Sequence, residues 1–387
     1  MEHLPVHDIV RYLRDRLPDM VALLQQLVVQ ETPSTVPESQ RPVLTLLADF
    51  LALCNYRSRF IPGRQTGGHL FAQPRQRVRQ QPAQLLLGHC DTVWPLGTLK
   101  EMPWEVGEGI IRGPGVYDMK AGLVQVLSAL HALQALGLTP SVTPLVFINS
   151  DEEIGSREST PHIRRLAQCA NRVFVFEPSL GLAGDLKIAR KGVGRFTVVA
   201  KGKAAHAGLD PDGGASAILE LSFVIQKLFA LNDANKGITV NVGMIDGGLR
   251  PNVIAPESRA SIDVRVLTHE DAQHIEKSIH SLQATTPGVT LEITGQIGRQ
   301  PMEQTPRNLA LLEVAKEAGR SMQVNIGAGV AGGASDGNTT SLFTATLDGL
   351  GAVGDGAHAR HEFIYFDKMV ERSALLALLL MTPSLRT

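Results

Sequence analysis

The sequence predicts an α/β protein in which a mixed, mostly parallel sheet flanked by helices is interrupted by a smaller α+β domain of four strands and two helices. Three observations predict it. Short apolar runs that end in polar residues, "QLLLGH" (84–89), "LVFIN" (145–149) and "VFVFE" (173–177), alternate with helical patterns, as strands buried on both faces of a parallel sheet do. Between about Lys191 and Arg299 the pattern changes to four strands interleaved with two helices, and then it changes back. The length, 387 residues, exceeds one ordinary core and suits two.

Apolar residues at helical spacing predict helices over Val21–Val29 and Val43–Leu53. Gln84–Gly88 reads as a buried strand. "MKAGLVQVLSALHALQALG" predicts a helix over Met119–Gly137 with a glycine stop. Two further buried strands follow, at Leu145–Asn149 and Val173–Phe176. Inside the insert, strands are expected at Phe196–Ala200, Thr239–Ile245, Ser258–Val266 and Val289–Thr294. Its helices are expected at about Ser216–Leu231 and Glu270–Leu282, with Thr268 and Asp271 as a capping box for the second. The alternation then resumes with a helix around Asn308–Ala318, a glycine-rich stretch and a final helix around Met369–Leu380. The expected domains are therefore 1–190 with 300–387, discontinuous, and the insert 191–299. No internal repeat is visible.

Composition narrows the function. Hydrophobic residues are 43% and charged residues 19%, below the roughly 25% of an average soluble protein. The net charge of −1 gives no basic footprint for nucleic acid or an anionic membrane. The one basic run, Arg75, Arg77 and Arg79, is flanked by Gln and Pro and reads as a solvated loop. Cys54, Cys90 and Cys169 are odd in number and lack zinc-knuckle spacing, which suggests free thiols in a reducing compartment. Cys90 reads as buried packing. No apolar stretch could span a bilayer, and the N-terminus has no secretory core. The expectation is a cytoplasmic protein with no nucleic-acid or membrane partner.

The residues that could carry chemistry collect at strand ends. Glu152 and Glu153 stand side by side in "NSDEEIGS", just past a strand. His89 and Asp91 lie past another and face the same side if the chain stays extended. Asp118 precedes a helix, Glu177 ends a third strand, and His358 sits in the Gly-rich "GDGAHARHE". Ligands bind outside the carboxyl ends of strands in open α/β sheets. Each residue alone is weak: an Asp before a helix is usually an N-cap, and a Glu pair usually a solvated face. Several acidic and imidazole groups at buried strand ends would be costly to desolvate without compensation. A divalent metal resolves the conflict, and mixed His nitrogen and carboxylate oxygen suit zinc, with manganese or cobalt as alternatives.

Eight ordered motifs, "GHCDTV", "GPGVYDMKAG", "SDEEIGS", "FEP", "GKAAHAG", "PNVIAP", "DVRV" and "GAHARHE", span almost the whole chain. Through them the chain resembles the di-zinc exopeptidases and deacylases, the family of glutamate carboxypeptidase, acetylornithine deacetylase and succinyl-diaminopimelate desuccinylase. "GGASDGN" and "LDGLGAVGDGAHAR" look closest to the glutamate carboxypeptidase branch. The resemblance implies two Zn2+ per chain, or Co2+ or Mn2+. His89 and Glu177 would hold one ion, Glu153 and His358 the other, and Asp118 would bridge them, with a cis bond to Met119. Asp91 would hold the far nitrogen of His89, as carboxylates behind a metal ligand do. Glu152 would be the general base for a hydroxide shared by the ions, and His206 in the insert a donor to the oxyanion, often given to the other subunit of a dimer. Asn252 and Arg265 would hold the substrate carbonyl or carboxylate. Without the resemblance, His206 reads as a surface histidine and Arg265 as an exposed strand residue. The stretch Ala331–Asn338, with Gly332 and Gly333, could present backbone N–H groups to an anion. Lys187 and Arg250 are candidates for a substrate side-chain carboxylate. The implied activity is zinc-dependent amide hydrolysis that releases a C-terminal amino acid, glutamate above others, from a small N-acyl or peptidyl substrate. The alternative within the same chemistry is an N-acyl-amino-acid deacylase or a small dipeptidase. The implied assembly is a homodimer through the inserted domain.

Overall fold

The computed structural model describes residues 5–78 and 80–385; Arg79 of the basic run lies outside them, and Arg75 and Arg77 are exposed. The chain forms two compact units. One comprises residues up to Ile188 with Gln304–Val330 and Ser335 onward; the other comprises Ala189–Glu303 with Ala331–Ala334.

In the first unit α1 (Val6–Asp15), α2 (Leu17–Val29) and α3 (Pro37–Leu53) lead into β1 (Tyr56–Ile61), β2 (His69–Pro74) and β3 (Ala83–His89). Then come α4 (Ala121–Ala135), β4 (Thr143–Asn149), α5 (Thr160–Cys169) and β5 (Ala170–Val175). Helices Pro306–Ser321, Asp336–Thr340 and Phe366–Met381 and the short strand Ala345–Leu347 also belong to it, as does a small sheet of Glu105–Gly107, Ile110–Arg112, Gly354–Asp355 and Phe363–Tyr365. The sheet runs β1-β2-β4-β3-β5 and ends on Ala345–Leu347. The central strands β4, β3 and β5 and the edge strand Ala345–Leu347 are parallel, while β2 joins β1 and β4 antiparallel. Every residue of β3 and β4 is buried, which is why both read as unbroken apolar runs. Helix α4 packs Val126, Leu127 and Leu130 into the same core as Leu375–Leu380 of the last helix. The register sets His89 beside Asn149 and Leu87 beside Val175, so three neighbouring parallel strands deliver their carboxyl ends to one place.

The second unit contains β6 (Gly192–Lys201), α6 (Ala217–Phe229), β7 (Thr239–Gly247), β8 (Glu257–Val266), α7 (His269–His280) and β9 (Thr290–Arg299). Its antiparallel sheet runs β7-β8-β6-β9, the expected four strands and two helices. Burial alternates strictly along β6 and β8, with one face against the core and one turned away from it. Ser216 Oγ accepts from Leu219 N and starts α6. Thr268 Oγ1 likewise accepts from Asp271 N at α7, but its hydroxyl donates to Asp271 Oδ2 at 2.6 Å. The carboxylate therefore meets the hydroxyl and not the cap's own N–H, and the expected reciprocal box does not close.

Candidate metal centre and active site

All six residues proposed for the metal centre and its base come from the first unit, as does Asp91 behind them. His89 ends β3, Glu177 follows β5, and Glu152 and Glu153 occupy the turn after β4. Asp118 precedes α4 by a cis peptide bond to Met119, and His358 adopts φ 61° in the C-terminal loop. His89 Nε2 lies 3.3 Å from Asp118 Oδ1 and 3.5 Å from Glu177 Oε1. His358 Nε2 lies 3.4 Å from Asp118 Oδ2 and 3.1 Å from Glu153 Oε2. Asp118 thus turns one oxygen to each imidazole. Ligand atoms of His89, Glu152 and Glu177 fall within 4.8 Å of one another, as do those of His89, Asp118 and Glu153.

These contacts have ion-pair distances without hydrogen-bond geometry. His89 Nε2, Asp118 Oδ1 and Glu153 Oε1 are buried and have no hydrogen-bond partner. Buried polar atoms are ordinarily satisfied, so three such atoms converging on one place fit a cation held among them. The titration behaviour has the same origin. Burial alone would lower the pKa of His89, but the facing carboxylates of Asp118, Asp91 and Glu177 outweigh it and hold it well above the usual value. Asp118 and Glu153 raise His358 to about 10. Burial pushes Glu153 up to about 7. Burial would also raise Asp118, yet His358 and His89 keep it far below the carboxylate range. The cluster demands positive charge, and a metal supplies it without a proton.

Asp91 is fully buried and organises the site from behind. His89 Nδ1 lies 3.4 Å from its Oδ1 and 3.0 Å from its backbone carbonyl. Its Oδ1 and Oδ2 accept from the backbone N–H groups of Glu152 and Glu153, both at 3.2 Å, and Ser34 Oγ donates to Oδ2 at 2.7 Å. One carboxylate therefore orients both the imidazole and the paired glutamates. Cys90, between His89 and Asp91, is buried, and burial pushes its thiol up.

The remaining candidates fall elsewhere. Lys187 belongs to the first unit and is buried, its backbone paired with that of Asp348. His206 is exposed in the second unit, and its Nδ1 accepts from the N–H groups of Gly208 and Leu209. Asn252 is its neighbour, since Ala207 N donates to Asn252 O, and exposed Arg250 lies in the same turn. Arg265 pairs with Asp263 at 2.7 Å. The register places Arg265 beside Val193, whereas the His206 loop leaves β6 beyond Lys201, which faces Glu257. His206 and Arg265 thus stand at opposite ends of one strand pair, roughly 25 Å apart. Gly332 and Gly333 are exposed, and Gly333 uses its carbonyl to accept from Arg190.

Sequence reasoning gave no role to two buried carboxylates here. Asp336 accepts from Asn149 Nδ2 and Ser156 Oγ. Glu362 accepts from Trp94 and from the backbone around Asp118. Both lie inside quoted motifs, and the available signal was an acidic residue in a glycine-rich turn.

Residues 188–290 match the family described as a peptidase dimerisation domain. Carboxypeptidase G2 of Pseudomonas sp. is 28% identical over 309 residues, covering 77% of this chain and 73% of that protein. The chain spans about half the length of several fungal proteins named "Probable carboxypeptidase". The fold is shared with aminopeptidase PepT of Bacillus cereus, at a TM-score of 0.76, 19% identity and coverage of 96% and 98% of the two chains. It is shared too with the Bacillus subtilis YxeP protein, described as a dinuclear metal-binding peptidase of the M20 family, at a TM-score of 0.69, 15% identity and coverage of 95% and 98%. With its insert matching a peptidase dimerisation domain, carboxypeptidase G2 among its relatives and its fold shared with M20 peptidases, the chain is similar to the M20 metallopeptidases and is an enzyme of that type.

Proposed function

We propose that the protein is a di-zinc amide hydrolase that releases a C-terminal amino acid, glutamate above others, from a small N-acyl or peptidyl substrate. The observation that carries the reading is Asp118, with one oxygen 3.3 Å from His89 and the other 3.4 Å from His358. A carboxylate shared in this way suits two ions, one with His89 and Glu177 and one with Glu153 and His358. Bound there, the ions would lower the pKa of water and polarise an amide carbonyl.

The chain's own groups supply the rest. Glu152 takes the proton from the attacking water and delivers it to the leaving amine nitrogen. Asp91 occupies the Nδ1 side of His89 and leaves Nε2 facing the centre. His206 accepts two backbone N–H groups at Nδ1, so Nε2 carries the hydrogen and can donate to an oxyanion. Arg265 and Asn252 hold the substrate carboxylate and carbonyl. Lys187, Arg250 and the backbone at Gly332 and Gly333 are the remaining candidates for the amino-acid side chain.

One substrate cannot reach both ends of the β6–β8 pair from a single chain. The reading therefore includes a homodimer in which one copy gives Arg265 and the other His206 and Asn252. Exposed apolar residues support such an interface: Ile218, Leu219 and Phe223 on α6, and Met244 and Ile245 on the edge strand β7. A cytoplasmic setting suits the free thiols Cys54, Cys90 and Cys169. No helix among the described residues is long and apolar enough to cross a membrane.

The test is hydrolysis of an N-aroyl-glutamate, N-acetylornithine, N-succinyl-diaminopimelate and a glycine dipeptide by zinc-loaded protein. The aroyl-glutamate should be preferred. Glu152→Gln should lose a factor of about 10²–10⁴ with metal content unchanged. Preference for another member would shift the substrate to the deacylase or dipeptidase class. No turnover of any member with two zinc ions bound would refute the proposal.

A further inference from the structure

The proposed ligands hang on loops, and loops need anchors. Glu362 is 1% exposed, and four N–H donors converge on its carboxylate, two per oxygen. Oε1 accepts from Tyr117 N at 2.8 Å and Asp118 N at 3.1 Å. Oε2 accepts from Gly115 N and Trp94 Nε1, both at 2.9 Å. None of these partners is a cationic side chain. A buried carboxylate is costly unless its lone pairs are filled, and N–H groups fill them here.

The direction of these bonds matters more than their number. Three of them grip one turn, residues 115–118, that ends on Asp118. Gly115 has φ 72° there, and a Cβ would come within 2.5 Å of Thr92 Cγ2, so the turn has little freedom of its own. The fourth bond reaches Trp94, on the segment that follows His89 and Asp91. Glu362 itself closes the loop of His358: its N–H donates to Ala359 O, and Ala359 N donates to Gly356 O. One carboxylate thus ties together the segments that carry His89, Asp118 and His358.

We propose that Glu362 is a positioning residue that shapes the Asp118 turn for metal before metal arrives. The inference rests on the reading of Asp118 as a shared ligand. The chemistry is specific to a carboxylate. Glutamine would turn an NH2 group toward two N–H donors, and aspartate would fall short by one methylene.

The experiment is titration of chelator-treated protein with Co2+ alone, followed by visible absorption and calorimetry, for the unmodified chain and Glu362→Gln. The variant should bind cobalt about 10- to 100-fold more weakly and give an altered ligand-field spectrum, with unchanged far-ultraviolet circular dichroism. Equal affinity and an identical spectrum in a folded variant would overturn the role of Glu362. No cobalt binding by the unmodified chain would instead overturn the metal reading, and this inference with it. Should the variant not fold, hydrogen exchange on the unmodified, metal-free protein decides the matter. The amides of Tyr117 and Asp118 should already be protected; free exchange until metal is added would refute preorganisation.

Discussion

Replacing Asp336 by alanine should unlatch the turn that carries Glu152 and Glu153. Asp336 is 2% exposed and accepts from Asn149 Nδ2 at 2.7 Å and from Ser156 Oγ at 2.5 Å. Both donors are fully buried, one on each side of the glutamate pair. Ser156 is also held at φ 53°, a conformation unfavourable for a residue with a Cβ by about 1–2 kcal/mol. Hydrogen bonds to a charged acceptor are each worth about 1.5–3 kcal/mol. Two of them give about 3–6 kcal/mol, of which the desolvation of a carboxylate no longer buried returns part. Asn149 also keeps Ser159 Oγ as a partner at 3.0 Å. The net loss should be about 2–4 kcal/mol. At about 2–4 °C per kcal/mol for a domain of this size, Tm should fall by about 5–15 °C. Calorimetry in excess chelator reads this without a contribution from metal affinity. At a temperature where both proteins are folded, turnover of the best substrate should fall at least about 10-fold, because a small displacement of a base is expensive. An Asp336→Ala protein that melts within about 1 °C of the unmodified chain would refute the latch.

Chelation of the loaded enzyme should lower Tm markedly, since an ion present at about 1,000 times its Kd contributes about 4 kcal/mol of stability; an unchanged Tm in protein shown by elemental analysis to be stripped would contradict the proposed centre. Introducing carboxylates at Met244 and Ile245, 73% and 68% exposed on the edge strand, should convert the dimer to monomer in sedimentation velocity. That variant should lose turnover yet keep its metal, because Arg265 and His206 would no longer meet at one substrate; a fully active monomer would refute the shared site. Arg172 is buried and donates to Gln84 Oε1 and to the carbonyls of Leu379, Thr382 and Pro383 at the end of the last helix. Arg172→Met should cost about 3 kcal/mol, visible as a lower urea midpoint at constant slope.

What could be read from the sequence was whatever repeats a local rule. β3 and β4 announce themselves because both faces are buried, so Leu85–Leu87 and Leu145–Ile148 run apolar without a break. The strands β6 and β8 show the period of two of a sheet with a single covered face. β1, "YRSRFI", carries no such mark, because an edge strand tolerates charge and only Tyr56 in it is buried. α5 is silent for a related reason: among its ten residues only Ile163 and Ala167 are buried, too few to mark a period. Strands β3, β4 and β5 were recognisable one at a time, yet only the register shows His89 level with Asn149.

His89, Glu153 and Glu177 are marked by their place at or just past a strand end, and Asp118 and His358 by the glycines at 115 and 356 shortly before them. Asp336 and Glu362 lie in similar glycine-rich stretches, yet nothing local marks their partners. Asp336 reaches across to Asn149 and Ser156, both about 180 residues earlier, and Glu362 to a turn 244–247 residues earlier. Their partners are backbone N–H groups, a hydroxyl, an amide and an indole, groups that every sequence offers in plenty and that single out no acceptor. A ligand is chosen for what it presents to the metal, so its residue type reveals it. A positioning carboxylate is chosen for what lies behind the ligand, and that is decided only when the chain closes. This difference makes Glu362 the sharper test of the site: a metal centre assembled from its ligands alone would tolerate Glu362→Gln, and one held in shape by its surroundings would not.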